Sequence, residues 1–254
     1  MTSWNYDNYC EWIEDGCEIN NKIIELYVDN CELNELSENI DNLINLQKLV
    51  CSFNELIKLP KTLGDLINLQ KLDCENNQLI KLPKTLGNLV NLKELYCNNN
   101  KLTYLPKTVC NLINLQILNC DENQLIELPE TLNNLINLQD LNCWQNNLTK
   151  LPKTLGNLTN LRGLYCGHNK LTKLPKTLCN LINLQKIYCW HNKLTKLPET
   201  FGNLINLQEL RCTGNKLTKL PMSILKLKHL EIFEYNDNIQ LPINLQRFIK
   251  KKEI

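Results

Sequence analysis

Residues 69–91 read LQKLDCENNQLIKLPKTLGNLVN, and residues 92–114 read LKELYCNNNKLTYLPKTVCNLIN. The two stretches carry leucine, cysteine, asparagine and proline at matching positions of a 23-residue unit. A fixed period of this length, continued over most of a chain, is typical of a solenoid in which each unit buries its apolar residues against its neighbours. The same frame begins at Ile23, Leu46, Leu69, Leu92, Leu115, Leu138, Leu161, Leu184, Leu207 and Leu230.

Each unit predicts one very short strand. The segment LxxLxC alternates between two sides only near its centre, as at Lys71, Leu72 and Asp73. Proline recurs later in each unit, from Pro60 onward, and disfavours a long helix there. We therefore expect an α/β solenoid with a curved parallel sheet of about ten short strands and with extended or 3₁₀ segments on its other side.

Two columns of the repeat point inward. The slot just after each strand holds cysteine in eight successive repeats, from Cys51 to Cys212, and it falls among the inward leucines. Free cysteine behaves as a small buried apolar residue. An asparagine follows three residues later, where the chain turns and leaves backbone groups without sheet partners. We expect a structural ladder of amides at Asn54, Asn77, Asn100, Asn123, Asn146, Asn169, Asn192 and Asn215, continued at Asn238.

The unit LxxLxCxxNxLxxLPxxLgxLxN resembles that of the leucine-rich repeat family, and specifically its short 23-residue intracellular class with LPxxL in the second half. This resemblance implies a curved solenoid with its sheet on the concave face, used for protein binding in scaffolds of the Ras-suppressor and Scribble kind. Two departures from the family pattern are cysteine in a slot where the family usually has leucine and Ser37 in place of the first proline.

The repeats divide the chain into three parts. Residues 1–22 combine aromatic and acidic side chains and predict a short N-terminal capping helix. Residues 23–229 hold nine units of 23. Residues 230–254 hold a shortened last repeat and a C-terminal cap, in which Leu245, Phe248 and Ile249 recur at helical spacing and Lys250, Lys251 and Lys252 suit the end of a helix.

Composition excludes several classes of protein. The chain has 254 residues, 43% of them hydrophobic, and a formal net charge of +1, so it is neither disordered nor strongly charged. It has no run of 18 apolar residues, which argues against a membrane protein. The 13 cysteines are an odd number, so they cannot form a complete disulfide framework, and we expect a cytoplasmic, reducing compartment. The spacing leaves open whether Cys10 and Cys17 pair.

No stretch of the sequence carries recognisable catalytic chemistry. Cys166 with His168 and Cys189 with His191 form two C-x-H pairs that could be a nucleophile with its base or metal ligands. In the repeat frame the thiols point inward and the imidazoles lie at the turn, so the groups should diverge. We therefore expect no catalytic residue, no metal site and no cofactor, and a protein that is not an enzyme.

The outward slots of the strands are free to vary, and they suggest a binding surface. Exposed Trp, Tyr and Arg are enriched at interface hot spots. The alternative is that neighbouring aromatic side chains merely pack on each other and stabilise the sheet. Laid on adjacent strands, one predicted partner-binding patch consists of Trp144, Tyr165, His168, Tyr188, Trp190, His191 and Arg211.

The charges of the two halves differ. Residues 1–127 contain 10 basic and 19 acidic side chains, a net charge of −9, and residues 128–254 contain 18 and 8, a net charge of +10. Lysines such as Lys150, Lys173 and Lys196 flank the predicted concave face, where they are either solvated edge residues or steer an acidic partner.

Three functions follow. The leading hypothesis is a non-enzymatic interaction module that binds a protein or peptide on the concave side of its C-terminal half. One alternative is a regulatory or targeting subunit of an enzyme complex, and another is a binder of an anionic ligand through the Lys-rich half. The sequence argues against nucleic acid as the partner, because the chain has three arginines only and no basic concave groove.

Overall fold

The computed structural model describes residues 2–236, 239 and 241–252. The chain forms two compact units, Met1–Leu125 and Ile126–Ile254. In both units each repeat before the last one is one coil: a strand, a turn, a 3₁₀ segment on the other side of the coil and a return to the next strand. The predicted fold class is confirmed for the described residues.

The first unit contains one α-helix and a parallel sheet in which every strand pairs with the next one in sequence. Equivalent residues of neighbouring repeats pair with each other, as Leu72 does with Leu95. The helix is α1, Tyr6–Glu14. The strands are β1, Ser3–Trp4; β2, Glu25–Tyr27; β3, Lys48–Val50; β4, Lys71–Asp73; β5, Glu94–Tyr96; and β6, Ile117–Asn119. The 3₁₀ segments are Ile40–Asn42, Lys61–Asp65, Lys84–Asn88 and Lys107–Asn111.

The second unit repeats this arrangement and ends in a helix. Its strands are β7, Asp140–Asn142; β8, Gly163–Tyr165; β9, Lys186–Tyr188; β10, Glu209–Arg211; and β11, Ile232–Glu234. The helix is α2, Ile243–Lys252. The 3₁₀ segments are Glu130–Asn134, Lys153–Asn157, Lys176–Asn180, Phe201–Asn203 and Met222–Lys226.

The repeat prolines mark where most of the 3₁₀ segments begin. Pro83, for example, has extended backbone angles, φ −65° and ψ 143°, immediately before Lys84–Asn88. Its carbonyl accepts a hydrogen bond from the Leu86 N–H at 3.1 Å, which is the i to i+3 pattern of a 3₁₀ turn. Proline fixes φ and lacks an N–H, so it suits this entry position.

The core consists of stacked leucines and thiols. The eight cysteines from Cys51 to Cys212 in the ladder slot are completely buried, and none of them forms a disulfide. Several thiols donate to a carbonyl of the next coil, as Cys97 Sγ does to Asn119 O at 3.4 Å. Burial raises the pKa of Cys97 and of Cys189 to about 12, so these thiols are protonated at neutral pH.

The ladder asparagines join each coil to the preceding one. Asn169 Nδ2 donates to Cys143 O at 2.9 Å and to Gly167 O at 3.0 Å, and its Oδ1 accepts from the Leu148 N–H at 2.9 Å. Asn100 makes the equivalent bonds in the first unit, to Cys74 O and from Leu79 N–H. A single amide thus satisfies backbone groups of two coils. Asn238 lies outside the described residues.

Two further columns of hydrogen bonds were not predicted from the sequence. On the 3₁₀ side, Asn91 Nδ2 donates to Ile67 O at 2.9 Å, and Thr85 Oγ1 donates to Lys61 O at 2.6 Å. In the same region a side chain at Gly87 would require the next coil to shift, because a Cβ there would lie 2.4 Å from Thr108 O. These contacts fix the spacing of the coils opposite the sheet.

The turn after each of the strands β2 to β10 contains a residue with positive φ. In these turns the slot just before the ladder position has φ between 46° and 54° in its non-glycine members, including Phe53, His168 and His191, and φ 63° at Gly214. Asparagine and glycine tolerate this conformation, whereas bulky side chains are uncommon there. Asn76 and Gly214 fit this slot, but the sequence analysis did not predict its conformation.

The N-terminal segment packs against the first coils. Asn5 and Asn8 form a capping box at the start of α1, Tyr9 is buried, and its hydroxyl oxygen accepts from the Ser37 N–H at 2.8 Å. The predicted capping helix is preceded by β1, which the sequence analysis missed. Cys10 and Cys17 are both free thiols.

The last helix also packs one apolar face. Leu245 and Ile249 of α2 are buried, and Phe248 is half-buried. The side chains of Lys251 and Lys252, which were expected to suit the helix C-terminus, lie outside the described residues.

Candidate functional site

The residues of the predicted patch all lie in the second unit, on the face of the sheet opposite the leucine core. Strands β7 to β10 place Tyr165, Tyr188 and Arg211 in the slot after the central apolar residue. Trp144 and Trp190 follow the buried Cys143 and Cys189. We call the seven residues Trp144, Tyr165, His168, Tyr188, Trp190, His191 and Arg211 the aromatic face.

Both indoles lie over a glycine. A Cβ on Gly167 would lie 2.6 Å from Trp190 Cδ1 and 3.1 Å from Trp144 Cδ1. Gly167 holds the same slot as the tryptophans, one coil away from each of them. The rings of two coils therefore fill the space that a side chain would occupy on the third.

The imidazoles pack beside Trp144 at the turns. The ring centroids of His168 and His191 lie 4.5 Å apart, and His168 meets Trp144 edge-on at 5.3 Å. Burial, together with the neighbouring His191, lowers the pKa of His168 from its ordinary value of 6.5. Both imidazoles remain exposed to solvent, so they form the outer border of the aromatic face.

The tyrosines form a second group of contacts. Tyr165 meets Tyr188 edge-on at 5.1 Å, and Tyr188 stacks on Trp190 at 5.3 Å. The Arg211 guanidinium lies 5.0 Å from the Tyr188 ring centroid and 5.8 Å from that of Trp190. These are favourable aromatic and cation–π geometries.

Ion pairs neutralise the charges around this group. Lys186 Nζ lies 2.8 Å from Glu209 Oε1, and Arg211 Nη1 lies 2.9 Å from Glu234 Oε1. Tyr188 also donates its hydroxyl to Glu209 Oε2. Hydrogen bonds from Lys186 and Tyr188 lower the pKa of Glu209, so that carboxylate stays ionised. The aromatic face is therefore ordered and close to electrically neutral.

The structure corrects one part of the sequence interpretation. The leading interpretation expected the aromatic residues to be exposed. Tyr165, Tyr188, Trp144 and Trp190 are instead half-buried because they pack on one another. This self-packing is the alternative considered above, and it leaves the ring surfaces that still face solvent as the area open to a partner.

Sequence reasoning missed the residues that set the geometry of the aromatic face. Gly167 makes room for the two indoles, and Gly163 lies beneath the Tyr165 ring, whose Cε2 would be 2.8 Å from a Cβ there. Both glycines lie in the segment GLYCG, residues 163–167, where the other repeats carry larger side chains. This difference was visible in the sequence. Lys186 and Glu209 were also missed, because they lie in the outward slot before the central apolar residue, which the predicted patch did not include.

The C-x-H pairs diverge as expected. The Cys166 thiol is buried, and burial raises its pKa well above the ordinary value, whereas His168 lies at the surface of the turn. A protonated buried thiol is a poor nucleophile. Within the described residues, no group of three or more His, Cys, Asp or Glu side chains is arranged to hold a metal ion.

The flanking lysines are solvated. Lys150 lies 3.6 Å from Glu127 and 3.8 Å from Glu130, while all three side chains remain more than half exposed. Lys173 and Lys196 are exposed as well. Exposed pairs of this kind contribute little to stability.

In the described part of the chain, no helix has the length and apolar character needed to cross a membrane.

Comparison with known families gives two matches to sequence models. The model described as "Leucine-rich repeat region" matches residues 96–193, and the model described as "Leucine Rich repeats (2 copies)" matches residues 67–107 and 182–226. A search of curated proteins gives no significant match.

Solved structures share the fold. A leucine-rich repeat protein of Leptospira interrogans is 31% identical, with a TM-score of 0.65 and coverage of 91% of this chain and 71% of that protein. The Arabidopsis receptor kinase HAESA, solved with the peptide hormone IDA and the co-receptor SERK1, is 28% identical, with a TM-score of 0.79 and coverage of 94% and 40%. A Listeria monocytogenes internalin is 22% identical, with a TM-score of 0.75 and coverage of 87% and 62%.

Proposed function

The chain belongs to the leucine-rich repeat family, and we propose that it is a non-enzymatic module that binds a protein or peptide partner on the aromatic face of its second unit. Leucine-rich repeat proteins generally mediate protein–protein interactions. The observation that carries the finer proposal is the contiguous set of ring contacts joining Tyr165, Tyr188, Trp190 and Arg211. Trp, Tyr and Arg are the residue types that dominate interface hot spots.

The order of the aromatic face favours binding. Its rings are held by neighbours on adjacent strands, so a partner that packs on them immobilises few additional rotamers. The glycine beneath the indoles and the ion pairs around Tyr188 fix the shape of the surface before any partner arrives. A preorganised aromatic surface loses less entropy on binding than a set of mobile side chains does.

The neutrality of the aromatic face indicates how the partner is held. Lys186 and Arg211 already pair with Glu209 and Glu234, so a partner gains little from adding another charge at these positions. Affinity should come from apolar and aromatic packing, and it should survive raised salt. Exposed lysines at the edge, such as Lys173, would then affect the association rate more than the affinity.

A comparative capture experiment tests this proposal. The intact protein, the double variant Trp144→Ala, Trp190→Ala and the control double variant Val50→Ala, Ser52→Ala are immobilised and exposed to one lysate, and the captured proteins are quantified. A partner retained by the intact chain and the control but lost by the tryptophan variant supports the proposal. Retention by all three, with each shown to be folded by circular dichroism, contradicts it.

The proposal includes the intracellular class suggested by the LPxxL half of the repeat. The similarity to HAESA and to the internalin does not support an intracellular location, so this part of the proposal depends on the cysteines. Thirteen cysteines without a disulfide, eight of them in one buried ladder, fit a reducing compartment. Thiol counting in denaturant after anaerobic purification should find the ladder cysteines reduced. Disulfides between ladder positions would contradict a cytoplasmic location.

A further inference from the structure

A polar trough in the second unit shares no lining residue with the aromatic face. It has a volume of about 530 Å³ and is lined by residues of four successive coils, which precede strands β8 to β11. Asparagine and glutamine side chains form most of it, together with Arg162 and His229. The lining contains no carboxylate and no apolar side chain.

Two lining residues depart from the repeat. Arg162 occupies a slot that holds glutamine in most units, and His229 occupies one that holds asparagine. In the first unit this glutamine slot links coils, because Gln70 Nε2 donates to Gln47 Oε1 at 3.3 Å and Lys93 Nζ donates to Gln70 Oε1 at 3.0 Å.

The equivalent slot of the second unit lacks this chain of hydrogen bonds. Arg162, Gln185 and Gln208 belong to the described part of the chain and make no side-chain hydrogen bonds to one another, and the positive charge of Arg162 acts on the nearby Asp140 carboxylate. A guanidinium has therefore replaced a linking amide at a position where core packing does not require it. Such a departure from an otherwise regular pattern is expected at a functional site.

The hydrogen-bonding groups of the trough are mixed. Asn160, Asn183 and Asn206 donate their Nδ2 groups to backbone carbonyls of the preceding coils at 2.8, 2.9 and 2.8 Å. Their amide orientation is therefore fixed, and each Oδ1 remains as an acceptor. Gln185 and Gln208 offer both donors and acceptors, and Arg162 offers donors only. A complementary ligand needs donors, acceptors and one negative group.

We propose that the trough binds an extended acidic segment of polypeptide. A carboxylate would pair with the Arg162 guanidinium, and peptide N–H and C=O groups would bond the amides of the wall. A phosphate group carries acceptors alone and meets the asparagine oxygens unfavourably. Coils about 4.8 Å apart give the trough a length of about 14 Å, which matches roughly four extended residues.

The charge of the unit favours the same ligand. Residues 126–254 contain 18 basic and 9 acidic side chains. This excess of positive charge attracts an acidic chain from solution and raises its rate of encounter. The trough then supplies the short-range contacts that distinguish an extended peptide from a general polyanion.

The test uses the full chain and a fluorescein-labelled hexaglutamate peptide, with binding measured by fluorescence anisotropy. Arg162→Gln and His229→Asn each restore the residue typical of the repeat, so both variants should fold. Lys173→Gln removes one positive charge from an exposed edge position and is the matched control. We expect Arg162→Gln to weaken binding at least tenfold, His229→Asn to weaken it less, and Lys173→Gln to change it less than twofold.

Three results would overturn the inference. The first is no binding by the intact chain, and the second is equal weakening by Arg162→Gln and Lys173→Gln, which would show unspecific attraction. The third is competition by tripolyphosphate or an oligogalacturonate as effective as that by unlabelled hexaglutamate, which would show a different class of ligand. The Trp144→Ala, Trp190→Ala variant should bind hexaglutamate normally, so this inference and the proposed function can fail separately.

Discussion

The two units have the same kind of interior and differ on the exposed face of their sheets. In the first unit the slot after the ladder cysteine holds small or acidic residues such as Ser52 and Glu75, and in the second it holds Trp144 and Trp190. Their tyrosines differ as well. In the first unit Lys71 Nζ lies 4.5 Å from the centroid of the Tyr96 ring. In the second unit Tyr188 packs against the Trp190 ring and the Arg211 guanidinium. The interior is fixed by what each coil must bury, and the face is where the repeats are free to diverge.

The largest expected effect concerns what the units share. Asn100→Leu in the first unit and Asn169→Leu in the second should each lower the free energy of unfolding by about 3 kcal/mol, because each leaves a buried N–H and buried carbonyls without partners. Urea unfolding midpoints measure this. The neighbouring exposed changes Lys101→Ala and Lys170→Ala serve as controls. A large cost in one unit and none in the other would contradict a common interior.

The second effect is confined to the second unit. Gly167→Ala places a methyl group 2.6 Å from Trp190 Cδ1, so the indoles must move apart, at a cost of about 1 to 3 kcal/mol. Thermal unfolding and tryptophan emission should both change. Thr213→Ala, in the same slot of a later coil, is the control and should alter neither. If Gly167→Ala changes neither the thermal unfolding nor the tryptophan emission, the indoles are not packed over the glycine.

A third effect comes from the turn with positive φ. Phe53 is 54% exposed at φ 52°, so Phe53→Asn should raise the free energy of unfolding by about 0.5 kcal/mol while losing few contacts. His191→Asn should gain less, because it also loses the ring contact with His168. Equal gains at both positions, measured by urea unfolding, would show that the imidazole stack contributes nothing.

The smallest effect is the pH dependence of the imidazole pair. The folded-state pKa of His168 lies below its ordinary 6.5, so below pH 6.5 the unfolded chain takes up the proton first. The contribution of His168 to stability is therefore full above pH 6.5 and decreases as the pH falls through the lower folded-state value. Proton NMR of the imidazole should show this lowered pKa. A value at or above 6.5 would show that His168 is neither desolvated nor influenced by His191.

Much of the fold could be predicted because the same pattern of residues recurs in ten units. The buried leucines, the inward thiols and the one-strand coils follow from spacing alone. The turn with positive φ could not be predicted, because Phe53 and His168 do not favour that conformation and adopt it only when the coils on either side impose it. The Asn91 and Thr85 hydrogen bonds on the 3₁₀ side were missed because exposed polar residues carry no periodic apolar signal.

The candidate site was predictable in position and less so in detail. The columns brought Trp144, Tyr188 and Trp190 to one face, since register follows from the period. They did not reveal that the rings fill the space above Gly167 or that Glu209 accepts from Tyr188. Those contacts depend on side-chain rotamers, which spacing does not fix.

The most direct test of the central claim is the dissociation constant of the captured partner, measured by titration calorimetry for four chains. These are the intact protein, Trp190→Ala, and the first-unit controls Val50→Ala and Ser52→Ala. The account predicts that Trp190→Ala weakens binding by about 2 kcal/mol, or roughly 30-fold, while both controls bind like the intact protein. Unchanged affinity for Trp190→Ala together with a loss for Val50→Ala or Ser52→Ala would contradict the account and move the binding site to the first unit.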